Sequence, residues 1–291
     1  MKKISGIMPA LITPLTACEK INVPVLRSLI EHHISQNADG FYIGGATGEG
    51  FLLSTDARKT LCEKAVEYIG DAATKIVHIT DMNIERTLEL ARHAEKCGAD
   101  AISAVPPFYF EYDEDDIYNY YARIAGSVNI PLMIYYTPSA AVTVSMDLFR
   151  RLLDIENITA VKWTYSDYDP FIRLKASRDD ISVMNGPDET LLCGLAAGAD
   201  GGIGSTYNFM LPKMKAVYNA FASGDMKEAL RVQREITGII AVMKQYPIIS
   251  GVKAILEYQG FDVGNAASPQ KRFSEEEKKS YIKLIKNTGL M

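Results

Sequence analysis

The chain has 291 residues, of which 47% are hydrophobic, and it carries a formal net charge of -5 with an isoelectric point near 5.5. This acidic balance excludes the clustered basic surface that nucleic-acid-binding proteins use, and no stretch approaches the roughly 18 consecutive apolar residues of a membrane-spanning helix. We therefore expect a small-molecule ligand, with neither nucleic acid nor membrane as a partner.

Short strand-like segments alternate with helical segments over the first two hundred residues. Segments such as 23–40 and 84–100 place apolar residues at i, i+3, i+4 and i+7 on a charged background, which is typical of amphipathic helices. The segments predicted as strands are, in chain order, 6–13, 40–45, 75–80, 101–107, 131–138, 158–164, 181–186 and 201–206. Such alternation predicts a parallel sheet with helices outside it.

Repeating units of this number and length match a closed (β/α)8 TIM barrel better than an open doubly wound sheet, which normally has fewer strands. We predict an α/β chain in which residues 1–224 form the barrel with the active site. Beyond about Asp225 the strand pattern stops, and residues 225–291 are predicted as C-terminal helices packed on the barrel. One of these helices should begin with a capping box at Ser274 to Glu277.

Lys162 is a single amine inside an apolar, β-branched segment, 158–164, where the sixth predicted strand should have its interior. A buried ammonium loses solvation, so its pKa should fall, and a neutral lysine amine forms Schiff bases with keto substrates. The alternative is that Lys162 lies at a strand end, with a packed stem and a solvated head.

Tyr135 ends the fifth predicted strand, one βα unit before Lys162, so the two side chains should share the mouth of the barrel. A phenol there can move protons for an imine-forming lysine, whereas an isolated tyrosine more often fills space. The glycines of GGATGEG, residues 44–50, allow backbone N–H groups to face an anion, and Thr47 adds a hydroxyl. A plain glycine-rich turn is the alternative there.

The cysteines, Cys18, Cys62, Cys97 and Cys193, lie far apart and show no CxxC or CxxH spacing, and no secretory leader precedes them. We expect reduced thiols and a cytoplasmic protein. No metal and no organic cofactor is expected, because no set of His, Cys or carboxylate residues has ligand spacing in the sequence.

Together these motifs resemble the pyruvate-dependent class I aldolases of the N-acetylneuraminate lyase and dihydrodipicolinate synthase type. The resemblance covers nearly the whole chain and rests on ordered motifs at strand ends, namely GGATGEG, AVPPFYF, PLMIYYTP, AVKWT, NGPDE and GGIGSTYN. It implies a (β/α)8 barrel, a homotetramer, and a Schiff base between pyruvate and the lysine of the sixth strand.

Carried over residue by residue, the resemblance makes Lys162 the imine former and Tyr135 the general acid/base. Thr47 would orient that tyrosine and bind the pyruvate carboxylate with the backbone of Gly45 and Ala46. Tyr109 would complete a hydroxyl relay, either within the chain or into the site of a neighbouring subunit. The residues implied to bind the rest of the substrate are Thr164, Gly186, Asp188, Glu189 and Ser205.

The substrate branch depends on the remaining positions. Synthase members carry an arginine where this chain has Ala140, and the carboxylates of NGPDE suit the hydroxyls of an open-chain sugar. Cleavage of N-acetylneuraminate to pyruvate and N-acetylmannosamine is therefore the leading expectation. Ala46, Trp163 and Pro187 depart from the lyase pattern. Ala46 leaves one carboxylate hydrogen bond lost or supplied by the backbone alone, and Trp163 and Pro187 are expected to reshape the sugar pocket.

Two alternatives stay open. One is another pyruvate-dependent aldolase, acting on the dihydrodipicolinate synthase substrate or on a 2-keto-3-deoxy sugar acid. The other is a sensor of keto acids or sugar acids without turnover. A phosphorylated substrate is disfavoured, because neither NGPDE nor GGIGSTYN contains Arg or Lys.

Overall fold

The computed structural model describes residues 3–138 and 144–290. The strands are β1 (Gly6–Pro9), β2 (Gly40–Ile43), β3 (Thr74–His78), β4 (Ala101–Ala104), β5 (Leu132–Tyr136), β6 (Ile158–Trp163), β7 (Ser182–Asn185) and β8 (Gly201–Gly204). The helices between the strands are α1 (Val23–Ser35), α2 (Thr55–Ile69), α3 (Ile84–Cys97), α4 (Glu114–Ala125), α5 (Met146–Leu153), α6 (Asp169–Ser177) and α7 (Leu191–Ala196). The helices after β8 are α8 (Tyr207–Ala222), α9 (Met226–Met243), α10 (Ile248–Tyr258) and α11 (Glu275–Lys286).

The eight strands form one parallel sheet in the order β1-β8-β7-β6-β5-β4-β3-β2, which confirms the predicted (β/α)8 barrel. Regular ladders join each neighbouring pair in that order. The seam between β1 and β2 is closed by a single bridge from Ala10 to Tyr42, with the Leu11 amide donating to the Tyr42 carbonyl at 2.9 Å.

Two layers of side chains fill the molecule, because successive residues of a strand face opposite sides of the sheet. The inner layer faces the barrel axis and includes Met8, Tyr42, Ile76, Met133, Tyr135, Ala160, Met184 and Ile203. The outer layer lies between sheet and helices, and aromatic residues such as Tyr136, Phe149, Trp163 and Phe171 contribute to it.

Aspartates brace the amino-terminal end of the barrel by a repeated contact. Asp39, Asp100 and Asp200 each come just before a strand and accept a backbone N–H from the neighbouring strand. The Ile7 amide donates to Asp39 Oδ2 at 2.7 Å, and the Val183 amide donates to Asp200 Oδ2 at 2.7 Å. The corresponding bond from the Lys75 amide to Asp100 is 2.8 Å. The Ala-Asp pairs before the strands therefore stabilise the end of the barrel opposite the strand carboxyl ends.

Side-chain caps fix several helix starts. Ser274 and Glu277 form the predicted capping box of α11, with reciprocal side-chain to backbone bonds. Asp113 and Asp116 form another at the start of α4. No single helix among the described residues has the length and apolar character of a membrane span, and α9 with α10 reaches it only as a pair bent by 112°.

The loop after β2 is tied to the helices after the barrel by a buried ion pair. Lys253 Nζ of α10 lies 2.5 Å from Glu49 Oε2, and the two side chains are 2% and 0% exposed. Glu49 Oε1 accepts from the Ala267 amide at 2.6 Å and from Gln270 Nε2 at 2.7 Å, while Lys253 donates to the Asn265 carbonyl at 2.8 Å. Burial lowers the pKa of Lys253, and the Glu49 carboxylate opposes that shift.

We predict that Lys253→Met destabilises the chain by about 3 to 5 kcal/mol, because it leaves the Glu49 carboxylate buried without a countercharge. The double variant Glu49→Gln/Lys253→Met should recover most of that loss, because neither charge is then buried. Urea denaturation followed by circular dichroism measures both. Lys271→Met, which removes an exposed ion pair with Glu277, is the control and should change stability by less than about 1 kcal/mol. Equal losses in the single and double variants would contradict this account.

Candidate active site

Lys162 lies inside the mouth of the barrel between two phenol rings. Its side chain is buried, with the residue 5% exposed. The Nζ atom is 4.0 Å from the ring centroid of Tyr135 and 4.6 Å from that of Tyr42. Within the described residues, no carboxylate forms an ion pair with this amine. The alternative of a solvated lysine head is therefore wrong.

Strand register explains why Tyr135 reaches the amine. Tyr135 and Lys162 are paired positions of β5 and β6, and Lys162 is also paired with Met184 of β7. Paired residues of neighbouring parallel strands face the same side, so all three point to the barrel axis. The prediction that one βα unit separates adjacent strands is confirmed for this pair.

The same alternation sends Trp163 away from the site. Trp163 is 1% exposed and packs in the outer layer, 4.7 Å from the Tyr136 ring and 6.0 Å from the Phe171 ring. Its Nε1 donates to the Asp167 carbonyl at 3.1 Å. The expectation that Trp163 reshapes the sugar pocket is wrong, because a residue next to an inward lysine must face outward.

Tyr42 is a site residue that the sequence did not reveal. It lies in the inner layer, and its hydroxyl donates to Ser103 Oγ at 2.9 Å, which in turn donates to the Met133 carbonyl at 3.0 Å. Burial, together with the nearby Tyr135, raises the pKa of Tyr42 well above its usual range. Tyr42 therefore serves as a fixed neutral ring beside the amine. A tyrosine within a strand is ordinarily a packing residue, so nothing in the sequence marks Tyr42 as a neighbour of the amine.

His78, at the end of β3, is a second residue that the sequence missed. It is buried, and its ring lies 6.3 Å from Tyr135 and 6.2 Å from Tyr42, between centroids. Neither ring nitrogen has a hydrogen-bond partner among the described residues. Burial, reinforced by the positive charges of Arg58 and Lys162, lowers the pKa of His78 far below its usual range. The imidazole is neutral at physiological pH.

The GGATGEG loop presents unused backbone donors. Among the described residues, the amides of Gly45, Ala46 and Thr47 donate no hydrogen bond, whereas the Gly50 amide donates to the Gly45 carbonyl at 3.1 Å. A Cβ at Gly50 would lie 1.9 Å from the Gly44 carbonyl oxygen, so only glycine permits this tight turn. Adjacent free N–H groups form a cradle suited to an anion.

Thr47 is buried at 8% exposure, but no hydrogen bond joins it to Tyr135 within the described residues. Its predicted role in orienting that tyrosine stays a prediction.

Asp188 is a buried carboxyl group in the loop that follows β7. Its Oδ2 accepts from the Thr206 amide at 2.8 Å and from Thr206 Oγ1 at 2.6 Å, while Oδ1 is buried without a hydrogen-bond partner. Burial raises the pKa of Asp188 to about 6, against the two bonds from Thr206. The Glu189 carboxylate adds to the rise in the pKa of Asp188, and the charge of Lys162 opposes it.

Thr164 and Gly186 form a close contact next to Asp188. Thr164 Oγ1 is buried without a hydrogen-bond partner, and a Cβ at Gly186 would lie 2.0 Å from that oxygen. Glycine at 186 is therefore required if Thr164 is to keep its position. Ser205 is half-buried at the end of β8, directly before Thr206.

Glu189 and Tyr109 have surroundings that the sequence did not predict. Glu189 forms an ion pair with Lys244, the residue directly after α9. Tyr109 is 80% exposed at a φ of 84°, and its ring contacts Phe110. No contact joins Tyr109 to Tyr135 among the described residues, so a relay within one chain finds no support. Ala140 lies outside the described residues.

A protonated Asp188 has a measurable consequence. Between its ordinary value of 3.8 and its raised pKa of about 6, the folded chain keeps a proton that the unfolded chain releases. The free energy of unfolding, compared with that of Asp188→Asn, should therefore fall as pH rises through this window, by at most about 1.4 kcal/mol per pH unit. Urea denaturation from about pH 4 to 6.5 measures the difference. Exposed Asp71→Asn is the control, and a flat difference for Asp188→Asn would contradict the buried neutral acid.

Comparison with known proteins gives a consistent result along the chain. The profile of the Dihydrodipicolinate synthetase family matches residues 3–288. An N-acetylneuraminate lyase of Citrobacter koseri is 33% identical over 287 residues, covering 98% of this chain and 96% of that protein. An N-acetylneuraminate lyase of Clostridium perfringens is 34% identical over 275 residues, covering 94% and 96%. A crystal structure of CdNal from Clostridium difficile in complex with mannosamine matches with a TM-score of 0.95 at 32% identity, covering 99% of this chain and 100% of that one. The chain therefore belongs to the dihydrodipicolinate synthetase family.

Proposed function

We propose that this protein is a carbon–carbon lyase that cleaves N-acetylneuraminate to pyruvate and N-acetylmannosamine through a Schiff base on Lys162. The observation that carries the proposal is the position of the Lys162 amine, buried and 4.0 Å from the Tyr135 ring centroid on the adjoining strand. The names of the similar lyases support this substrate over the alternatives.

The chemistry needs one amine and one proton carrier. The Lys162 amine adds to the keto carbon of the substrate and water leaves, which forms an iminium ion. Tyr135 takes the proton of the hydroxyl two carbons away, the carbon–carbon bond breaks, and its electron pair moves to the iminium. The aldehyde product leaves, and the enamine is protonated on carbon. Water then hydrolyses the resulting imine, which releases pyruvate and restores the amine.

The pyruvate end of the substrate is held by the GGATGEG loop in this proposal. The amides of Gly45, Ala46 and Thr47 donate to no backbone acceptor among the described residues and are free to bind the carboxylate, and the Thr47 hydroxyl adds a further donor. Ala46 contributes only its backbone, since its methyl side chain cannot donate a hydrogen bond.

The sugar end is held by groups that accept and share hydroxyl hydrogen bonds. Asp188 offers its unpartnered Oδ1, and Thr164 offers an unpartnered hydroxyl. Ser205 and Glu189 complete the sugar-binding set in this proposal, and Gly186 leaves room for Thr164. Lys244, paired with Glu189, brings a cation to this region, whereas the motifs NGPDE and GGIGSTYN contain no Arg or Lys.

The alternatives differ in their substrate or in the absence of turnover. Another pyruvate-dependent aldolase would use the same lysine and tyrosine with a different aldehyde, and a sensor would keep the pocket alone. Retention of the lysine, the tyrosine and the free amide cradle together favours catalysis over sensing, because a sensor needs no buried imine-forming amine.

We also propose a cytoplasmic homotetramer in which Tyr109 enters the site of a neighbouring subunit. A non-glycine residue at a φ of 84° is strained, and an 80% exposed tyrosine gains nothing from that strain within one chain. A partner surface that covers the ring supplies the missing stabilisation.

The Schiff base is tested by trapping. Incubation with pyruvate and borohydride should attach a reduced pyruvate adduct to Lys162, found by peptide mass spectrometry. Lys162→Ala should abolish both the adduct and turnover, while Lys64→Met, a change on the outer helix α2, should keep both. An unmodified Lys162 in the active wild-type protein would rule out the mechanism.

Tyr135→Phe should slow cleavage by about 10² to 10⁴-fold, the usual contribution of a positioned acid/base group. Tyr136→Phe is a matched control, because the next residue of the same strand packs in the outer layer, away from the amine. Steady-state assays with N-acetylneuraminate measure both. A Tyr135→Phe variant with the wild-type rate would assign proton transfer to another group.

The substrate class is tested by a panel of N-acetylneuraminate, 2-keto-3-deoxy sugar acids and the dihydrodipicolinate synthase substrates, with coupled detection of pyruvate. We expect the highest kcat/KM for N-acetylneuraminate. Activity restricted to the synthase substrates would overturn the choice of branch, and pyruvate binding without any turnover would favour the sensor.

A further inference from the structure

Two helices outside the barrel bring together two thiols and an imidazole. Cys62 lies on α2, and His93 and Cys97 lie one turn apart on α3. The two sulfur atoms and a ring nitrogen all lie within 4.8 Å of one another. Cys97 Sγ and His93 Nε2 are 3.4 Å apart. His93 and Cys97 are four residues apart on α3, but Cys62 joins them only through the packing of α2 against α3, which the sequence alone does not reveal.

We propose that Cys62, His93 and Cys97 form a Zn²⁺ site that joins α2 to α3. Tetrahedral zinc binds thiolate sulfur at about 2.3 Å and imidazole nitrogen at about 2.0 Å, which places bound sulfur and nitrogen atoms about 3.6 Å apart. The separation of Cys97 Sγ and His93 Nε2 is already close to that value. Small side-chain rotations are enough to complete the geometry.

Glu63 lies beside the three ligands but outside their 4.8 Å set, so its side chain must move to supply the fourth ligand. It follows Cys62 on α2, and its Oε1 lies 3.2 Å from His93 Nε2. A carboxylate oxygen is an accepted zinc ligand beside sulfur and nitrogen. Cys62 is buried, whereas the Glu63 side chain is 51% exposed, so the site is closed toward the barrel and open to solvent where a metal ion enters.

The proton balance makes binding depend on pH. Cysteine thiols are ordinarily protonated at neutral pH, and a metal ion binds the thiolate form. Binding forms two Zn–S bonds, one Zn–N bond and one Zn–O bond, and it releases two protons from the thiols. The affinity should therefore weaken as pH falls.

The mixed sulfur and nitrogen ligand set selects zinc over calcium and magnesium, which prefer oxygen ligands. The site belongs to the outer helices, and none of its residues contacts Lys162 or Tyr135. Its expected effect is on stability, because a metal that binds only the folded chain shifts the unfolding equilibrium toward it.

The experiment uses the full chain, reduced and stripped of metal, with Co²⁺ as the spectroscopic probe and Zn²⁺ as its competitor. We expect one Co²⁺ per chain, with a sulfur-to-cobalt charge-transfer band and intense visible bands of tetrahedral cobalt. Zn²⁺ should displace the cobalt. It should also raise the thermal midpoint of the wild-type protein by several degrees and leave kcat unchanged at 25 °C.

Cys97→Ala and His93→Gln should each weaken metal binding beyond the 10- to 100-fold that loss of an outer-shell partner costs, and should abolish the thermal shift. The matched controls are Cys193→Ala, which removes an exposed cysteine, and His32→Gln, which removes a histidine of α1. Both controls should bind cobalt like the wild type. Two ligand variants on different residues keep the test valid if one fails to fold.

Three results would overturn the site. The first is a reduced chain that binds no cobalt. The second is binding that survives both Cys97→Ala and His93→Gln, which would place the metal elsewhere. The third is a Cys62–Cys97 disulfide in protein isolated without reductant, combined with absent metal binding after reduction, which would make the pair a redox element.

Discussion

The buried ion pair between Glu49 and Lys253 joins the glycine-rich loop after β2, at the mouth of the barrel, to the helices that follow the barrel. Glu49 belongs to the loop that carries Thr47 and the free amides, and Lys253 belongs to α10. Two charges removed from water tolerate little movement, because each depends on the other and on its hydrogen bonds for compensation. The C-terminal helices thus hold the anion cradle in place, and α9 acts similarly on the far side of the mouth, where Gln233 donates to the Asp188 carbonyl at 3.3 Å.

Alternate residues of β5 and β6 face opposite sides of the sheet, so each strand contributes both to the site and to the packing of the helices. Along β6, Lys162 faces the barrel axis and Trp163 faces the helices. Along β5, Tyr135 faces the axis and Tyr136 faces the helices. The outward aromatic residues pack the sheet against its helices, and this packing fixes the strands that carry the reactive groups. The amine and the phenol are positioned by register, so no loop has to close in order to bring them together.

Much of the fold was predictable because its signals are local. Strand and helix periods, the Ala-Asp pairs before strands and the capping box at Ser274 are each visible within a few residues of sequence, and so is the single lysine in an apolar strand. Tyr42 and His78 could not be predicted, since their importance comes from contacts across the barrel axis with residues far away in the chain. The cluster of Cys62, His93 and Cys97 could not be predicted either, because it depends on the packing of α2 against α3 outside the barrel. Trp163 was expected to reshape the sugar pocket, whereas the alternation of side chains along β6 turns it toward the helices.

The single bridge between Ala10 and Tyr42 gives the barrel an uneven circumference. Each of the other junctions is a ladder of two or more paired residues. Strands β1 and β2 are joined by one bridge, and Tyr42 is one of its two residues. The ring of Tyr42 also lies against the Lys162 amine. Tyr42 thus belongs both to the least extensively paired junction of the barrel and to the surroundings of the Lys162 amine. Any movement of the backbone at this junction would therefore displace a ring that lies against that amine.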